Sequence, residues 1–218
     1  MSFSPFRRNT VVDNVFQELK KRIISNEYEA GFQLRQDSLA NELGVSRIPL
    51  REALLRLEAE GLIEIVAHKG GVVRSLSQKE AAELFNLRIL IECDLMKQAV
   101  PKMSDDDLDQ AEVALKKFDK MVISGENIDN WTKLNWDFHY QFYKPADQPN
   151  TIKILQMLHS NTDRYIRQQL LEEGAPERAH EEHNELIELC RKGDVDGACL
   201  LLKQHINATF EQIKPHLS

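Results

Sequence analysis

The chain has few cysteines and no long apolar run. Its three cysteines, Cys93, Cys190 and Cys199, are odd in number and form no metal-type CxxC pair, which favours a reducing compartment. No segment approaches the ~20 consecutive apolar residues that a membrane-spanning helix needs. The first ten residues also lack the apolar core of a secretory signal. We therefore expect a cytoplasmic protein that has no membrane partner.

The sequence also lacks an excess of basic residues. Across 218 residues, 28 Lys+Arg face 35 Asp+Glu, for a formal net charge of −7. The acidity is divided unevenly: residues 1–76 hold 11 Lys+Arg and 10 Asp+Glu, whereas residues 77–218 hold 17 and 25. The first part is therefore close to neutral, and the total charge does not exclude nucleic acid as its partner. This asymmetry predicts two domains with different partners.

The segment around Gly44 has the pattern of a helix-turn-helix. A short helix fits Gln36–Leu43, and Gly44 is suited to end it as a C-terminal glycine. Ser46 then offers a hydroxyl that can cap the next helix, which should continue to about Gly61. A helix, a tight glycine turn and a capped helix are typical of this DNA-binding motif.

Arg47 and Arg51 lie four residues apart near the start of the second helix, so they project from the same side. The N-terminal end of that helix is the part that enters the major groove in this motif. There the guanidinium fork matches O6 and N7 of guanine. These two arginines are therefore candidates for base recognition, with a solvated surface role as the alternative.

Two β-rich runs, residues 62–66 and 72–76, follow the second helix and are joined by a glycine-bearing turn. This pattern predicts a β-hairpin, and a hairpin after a recognition helix is a wing. His68 and Lys69 at its tip are candidates for contacting a groove or a phosphate. For His68, a plain surface position stays open as an alternative.

The rest of the chain shows six helical segments and no strand pattern. It begins with a capping box at Ser77 and Glu80 and continues to about Ile213. The predicted fold is therefore mainly α. Residues 1–76 form a winged helix-turn-helix with a small β-hairpin, and residues 77–218 form an all-α bundle of about six helices.

Three histidines, His139, His183 and His205, lie on three separate helices of the predicted bundle. Asn135 precedes His139 by four residues, so both side chains lie on one side of their helix. Imidazoles with one oxygen donor suit Zn²⁺, Ni²⁺ or similar ions. Spacing alone does not show that these side chains converge, and hydrogen-bonded core or surface roles stay open at this point.

Several stretches resemble one family of bacterial regulators. LRQDSLANELGVSRIPLREALLRLEAEGLIEI closely resembles the winged helix-turn-helix of GntR-type transcriptional regulators. The segments NWDFH, EHNELIELCRKGDVDGA and LLKQH resemble the FCD effector domain of the FadR subfamily. Six helices and a short chain are more similar to the VanR branch of that subfamily than to its longer branch.

The first resemblance implies that Arg47 and Arg51 contact operator bases and that the wing touches the minor groove. Several family members also carry a DNA-contacting arginine at the place of Asp37, for which Arg35 is the nearby substitute. The DNA-binding residues it implies are Arg35, Ser46, Arg47, Arg51, His68, Lys69 and Gly70.

The second resemblance implies a divalent metal ion and a bound ligand. The metal ligands carried over are Asn135, His139, His183 and His205, and the neutral amide of Asn135 should hold a cation less tightly than a carboxylate would. Arg88 matches a family arginine that holds a ligand carboxylate. An internal salt bridge from Arg88 to Glu92, four residues on, is the alternative.

Together these features predict a metabolite-responsive repressor and not an enzyme. We expect a homodimer that binds double-stranded operator DNA and responds to a small organic acid bound at the metal and Arg88. In one alternative the metal itself is the signal. In another, less favoured, the three histidines form the centre of a metal-dependent hydrolase. No carboxylate is obviously placed as its general base, and Asp137 and Glu182 are the residues left open for that role.

Overall fold

The computed structural model describes residues 10–67, 69–124, 131–169 and 175–217. The chain forms two compact units, the first ending at Ser75 and the second beginning at Leu76. The helices and strands of the first unit are α1 (Val11–Ile24), β1 (Gln33–Leu34), α2 (Gln36–Leu43), α3 (Arg47–Ala59), β2 (Ile63–Val66) and β3 (Gly70–Val73).

The helices of the first unit begin and end where local chemistry favours it. Thr10 and Asp13 form a capping box at the start of α1. Gly44 ends α2 with a φ of 63°, a left-handed conformation that costs glycine little. The core beneath α1 and α3 is mainly aliphatic, and it includes Leu19, Ile23, Leu50, Leu54 and Leu57.

The prediction that the Ser46 hydroxyl caps α3 is wrong. Ser46 is the N-cap residue of α3, but its side chain makes no capping hydrogen bond. An N-cap hydroxyl accepts from the amide of the second or third helical residue. The third residue here is Pro49, which has no amide hydrogen to donate. The Ser46 side chain is left exposed at the start of the helix.

The sheet has three antiparallel strands in the order β1-β3-β2, where the sequence indicated a two-stranded hairpin. β1 was missed because it is only two residues long. The second hairpin strand runs over Gly70–Val73 and not over residues 72–76. The prediction began too late because glycine is depleted in strands, so the two glycines indicated a turn. Glycine is needed at position 70, where φ is 80° and a Cβ would lie 2.8 Å from the backbone carbonyl oxygen of Leu34.

The second unit is a bundle around an aromatic and aliphatic core. Phe85, Phe138, Phe142 and Leu202 are among its most buried side chains. α4 packs against α7 and α9, and α5 packs against α6 and α8. The α-helices described in this unit are α4 (Gln78–Ala99), α5 (Asp105–Ser124), α6 (Trp131–Tyr143), α7 (Pro149–Gln169), α8 (Ala175–Arg191) and α9 (Val195–Ile213).

The predicted fold class, mainly α with a winged helix-turn-helix followed by a helical bundle of about six helices, is confirmed. Ser77 and Glu80 form the expected capping box of α4. Short 3₁₀ turns follow α4, α6 and α9, and each contains a proline near its start. Among the described residues, no helix combines the length and hydropathy needed to cross a bilayer.

Candidate functional site

Three histidines from three helices meet inside the second unit. His139 lies on α6, His183 on α8 and His205 on α9, and one ring nitrogen of each lies within 4.8 Å of those of the other two. Their ring centroids are 5.2 Å apart for His139 and His183, 5.6 Å for His139 and His205, and 5.0 Å for His183 and His205. The arrangement offers a set of nitrogen donors that one metal ion can share.

The hydrogen bonding of the triad leaves its ring nitrogens available for a metal. Both ring nitrogens of His183 and Nδ1 of His139 are buried without a hydrogen-bond partner among the described residues. A buried polar atom without a partner costs about 1–3 kcal/mol. The triad therefore fits a metal ion, because coordination would supply a partner for one nitrogen of each ring.

Burial also keeps His139 and His183 in the protonation state that metal binding requires. Burial, together with the neighbouring His205, holds the pKa of His139 and the pKa of His183 well below the ordinary value of 6.5. Neutral imidazole is the form that binds metals. These two side chains are therefore metal-binding bases at neutral pH and well below it.

His205 is oriented by a carboxylate from the neighbouring helix. Nδ1 of His205 lies 2.5 Å from Oε2 of Glu182 on α8. Glu182 in turn lies 3.5 Å from Nε of Arg178. When Nδ1 donates to a carboxylate, Nε2 is the nitrogen left to bind a metal. Glu182, predicted as a general base of the hydrolase alternative, is placed here as the partner of a histidine.

Asn135 is buried on α6, one turn before His139. Its amide carries no charge, so as a metal ligand it would add no negative charge to the donor set. Asp137, the other general-base candidate, lies on the same helix and pairs with Lys133.

A second buried cluster is centred on Glu92 of α4. Nε of Arg88 lies 2.8 Å from Oε1 of Glu92, and Nε2 of His159 on α7 lies 3.1 Å from the same oxygen. The hydroxyl of Tyr143 donates to Oε2 at 2.5 Å. Arg88 is thus in the salt bridge given as the alternative, but its Nη1 is buried without a partner among the described residues.

The Glu92 cluster and the histidine triad share one interior. Burial alone raises the pKa of Glu92, but the charge of Arg88 and the hydrogen bond with His159 outweigh burial and hold that pKa well below its ordinary value. The ring centroids of His139 in the triad and His159 in the Glu92 cluster are 6.3 Å apart, so the two clusters adjoin. An ionised carboxylate and an incompletely paired guanidinium therefore lie beside the candidate metal site.

Sequence reasoning missed the role of His159 and Tyr143 and gave Glu92 only as a salt-bridge partner. A signal for His159 was present, because Leu155, His159, Thr162 and Ile166 repeat at helical spacing and all are buried. No comparable signal marked Tyr143, which contacts Glu92 from 51 positions away.

Four of the candidate DNA-binding residues of the first unit line one surface cleft. Arg35, Arg47, Lys69 and Gly70 line it, together with residues of α2. Arg51 lies exposed on α3, one turn after Arg47, outside the cleft lining. His68 lies outside the described residues. The structure thus brings the start of α3 and the wing to one cationic cleft.

Arg47 does not lie free at the start of α3. Its Nη2 is 2.7 Å from Oδ1 of Asp37 on α2, and both side chains are largely exposed, at 73% and 69%. Arg35 is tied to the wing through Gln33, whose amide donates to the backbone carbonyl of Lys69.

Comparison with known families identifies both units. Residues 11–73 match the gntR family of bacterial regulatory proteins, and residues 83–208 match the FCD domain. The first match covers the three helices, the cleft and the wing. The second covers the part of the chain that holds the histidine triad and the Glu92 cluster.

Individual proteins match along nearly the whole chain. An uncharacterized HTH-type transcriptional regulator of Bacillus subtilis, YdhC, is 26% identical over 205 residues, which are 93% of this chain and 88% of that protein. The HTH-type transcriptional repressor RspR of Escherichia coli is 23% identical over 204 residues, covering 94% and 89%. The structure of E. coli McbR/YncC has a TM-score of 0.80 at 20% identity, covering 95% and 98%, and shows the same fold.

Proposed function

Because this chain belongs to the gntR family of bacterial regulatory proteins and carries an FCD domain, we propose that it is a metabolite-responsive repressor. Membership makes it a DNA-binding transcriptional regulator and not an enzyme. The proposal adds that a small carboxylate, bound at a metal ion in the helical domain, sets the affinity of the winged domain for operator DNA.

The observation that carries the proposal is the buried histidine triad. Three imidazoles converge within 4.8 Å, and the described residues offer His183 no hydrogen-bond partner at either nitrogen. A purely structural core histidine would normally be hydrogen-bonded. His139, His183 and His205 would hold a divalent ion of the zinc or nickel type, with Asn135 as the oxygen donor. The bound ion would supply a positive charge and an open coordination position for a carboxylate oxygen.

Arg88 is the second proposed contact for the carboxylate. Its Nε is held by Glu92, which fixes the plane of the guanidinium. Its buried Nη1 remains without a partner among the described residues. Charge-assisted hydrogen bonds from arginine to a carboxylate are among the stronger polar contacts in proteins. The salt bridge to Glu92 and a ligand contact are therefore compatible uses of different nitrogens of one side chain.

The DNA-binding role rests on the cleft at the start of α3. Arg47 and Arg51 are the proposed base-reading residues, because both are exposed at the N-terminal end of the recognition helix. Arg35, Lys69 and the backbone of Gly70 are the proposed contacts to phosphates or the minor groove, because they line the same cleft as Arg47. Ser46, whose hydroxyl is not used as a cap, is free to contact a phosphate.

A homodimer is proposed because one winged module has limited contact area, and two half-sites raise discrimination. The helical domain offers apolar surface for such an interface. Leu87 and Leu90 are exposed on α4, and Ile154 and Met157 are exposed on α7, which packs against α4. Exposed apolar side chains on adjoining helices are typical of a surface that is covered in an assembly.

The proposal is tested with metal-loaded protein and a panel of small organic acids. A carboxylate that binds should raise the melting temperature only when metal is present, because a ligand stabilises the state it binds. A gel-shift assay then compares wild type with Arg47→Ala on promoter DNA, and we expect a loss of about 1–3 kcal/mol of specific binding. If metal alone releases the DNA, the metal is the signal and the proposal of an organic acid is wrong.

A further inference from the structure

We propose that Asp37 is a specificity-determining residue of the DNA-binding unit. It positions the guanidinium of Arg47 on a guanine and accepts a hydrogen bond from the amino group of a cytosine in the adjoining base pair. This inference rests on the proposed role of Arg47 as a base-reading residue and adds a second, acceptor contact to it.

The geometry places the two side chains together at the reading end of α3. Oδ1 of Asp37 lies 2.7 Å from Nη2 of Arg47, and the pair joins α2 to α3 across the turn at Gly44. Both side chains are more than two-thirds exposed. An exposed pair of this kind contributes little to folding stability. Its main effect is on the orientation of the Arg47 guanidinium when that group binds the edge of a base.

The surroundings of Asp37 are cationic. Arg35, Arg47 and Lys69 line the same cleft, and Asp37 is the one carboxylate among the described residues that line it. A carboxylate brought against DNA is repelled by phosphates and by the acceptor atoms of guanine. Arg47 pairs with Oδ1 of Asp37, and the remaining acceptor positions of this carboxylate still need hydrogen-bond donors, since acceptors left unpaired at a dehydrated contact are costly.

The major groove offers that donor on two bases. Cytosine presents its N4 amino group, and adenine presents its N6 amino group beside the N7 acceptor. The N7 lone pair repels a carboxylate, so cytosine is the better partner for Asp37. A donor in Arg47 and an acceptor in Asp37, joined at 2.7 Å, are therefore complementary to a guanine with a cytosine in the adjoining pair.

The test is a selection of full-length protein against a library of randomised DNA duplexes, with wild type, Asp37→Ala, Asp37→Asn and Arg47→Ala in parallel. Wild type should select guanine with cytosine in an adjoining pair. Asp37→Ala should lose the cytosine preference, which we expect to be roughly tenfold in affinity. Asp37→Asn should shift that position toward adenine, because an amide matches N6 and N7 of adenine.

Circular dichroism and melting temperature show that each variant is folded, which the exposure of Asp37 makes the expected result. If Asp37→Ala retains the wild-type base preference and binds all sequences more tightly, Asp37 only repels phosphates and the inference is wrong. If Arg47→Ala selects the same sequence as wild type, or if wild type selects no sequence, the proposed role of Arg47 fails together with the inference.

Discussion

The carboxylate of Glu182 lies 2.5 Å from Nδ1 of His205, across the contact between α8 and α9. Burial alone raises the pKa of Glu182, but the hydrogen bond with His205 outweighs it, so this carboxyl is ionised at neutral pH. It therefore acts as an acceptor for Nδ1 of His205, which leaves Nε2 as the nitrogen that can bind a metal. If Asn135 is the neutral oxygen donor of a bound ion, this carboxylate would supply negative charge next to one of the histidine ligands.

Replacing Glu182 with glutamine should weaken metal binding. We expect a loss of about 10–100-fold in affinity, as is common when a partner that orients a metal-binding histidine is removed. Competition with a chromophoric chelator measures the change. Glu181→Gln is the matched control, because Glu181 is exposed on the same helix. Equal affinities for the two variants would show that the Glu182 contact does not support the metal.

The metal-free protein should lose stability as the pH falls below about 6.5. The pKa of each buried histidine, His139, His159 and His183, is lowered in the folded state, chiefly by burial. Below pH 6.5 the unfolded chain therefore binds protons that the native chain does not bind. The free energy of unfolding should fall by up to about 1.4 kcal/mol per pH unit for each histidine.

Urea unfolding of the metal-free protein at pH 7.5, 6.5 and 5.5 checks this dependence. Glu92 does not contribute to it, because its pKa lies well below this range. His183→Gln should reduce the slope of the unfolding free energy against pH by the contribution of about one proton. A slope that is the same in that variant would contradict the assignment of His183 as a buried neutral base.

Removing Arg88 should destabilise the protein mainly through the charge it leaves behind. Glu92 is fully buried and ionised, and Arg88 is its cationic partner. Arg88→Met should therefore cost about 3–5 kcal/mol of unfolding free energy. Arg88→Met combined with Glu92→Gln should cost less than the sum of the single changes, because the uncompensated charge is gone. Chemical denaturation of the four proteins measures this coupling, and additive effects would refute it.

Replacing Gly70 with alanine should lower the stability of the protein more than replacing Gly31 with alanine. Both have positive φ, 80° and 86°, but a Cβ on Gly70 would lie 2.8 Å from the carbonyl oxygen of Leu34, whereas Gly31 has open space. Gly31→Ala therefore reports the backbone cost alone, about 1 kcal/mol. Gly70→Ala should cost more and should also weaken DNA binding by displacing the wing. Thermal melts and gel shifts of both variants decide whether the close approach matters.

Much of this fold follows from local chemistry. The capping box at Ser77, the left-handed Gly44 and the apolar spacing along α1 and α4 are each recorded within a few residues of sequence. The same local logic failed for the cap at Ser46, because the proline three residues later removes the amide that the hydroxyl needed. It failed for β3 because Gly70 lies against the backbone of Leu34 on β1, a contact between strands that no local pattern records.

The candidate site was predictable only in part. Resemblance to a family pointed to the histidines, but periodicity could not show that residues 139, 183 and 205 converge. The Glu92 cluster joins α4, α6 and α7, and its contacts span 51 and 67 positions in sequence. Such contacts are set by helix packing, and no local pattern records them. The pairing of Asp37 with Arg47 is of the same kind, since each residue alone is typical of a solvated helix surface.

The central claim is that a carboxylate bound at the histidine triad changes operator affinity. The most direct measurement is the dissociation constant for operator DNA, titrated with the organic acid that stabilises the protein most, for metal-loaded wild type and His183→Gln. We expect the acid to change wild-type affinity by about 5–150-fold and to leave the variant nearly unaffected. An equal response in the variant, or in metal-free wild type, would contradict the account.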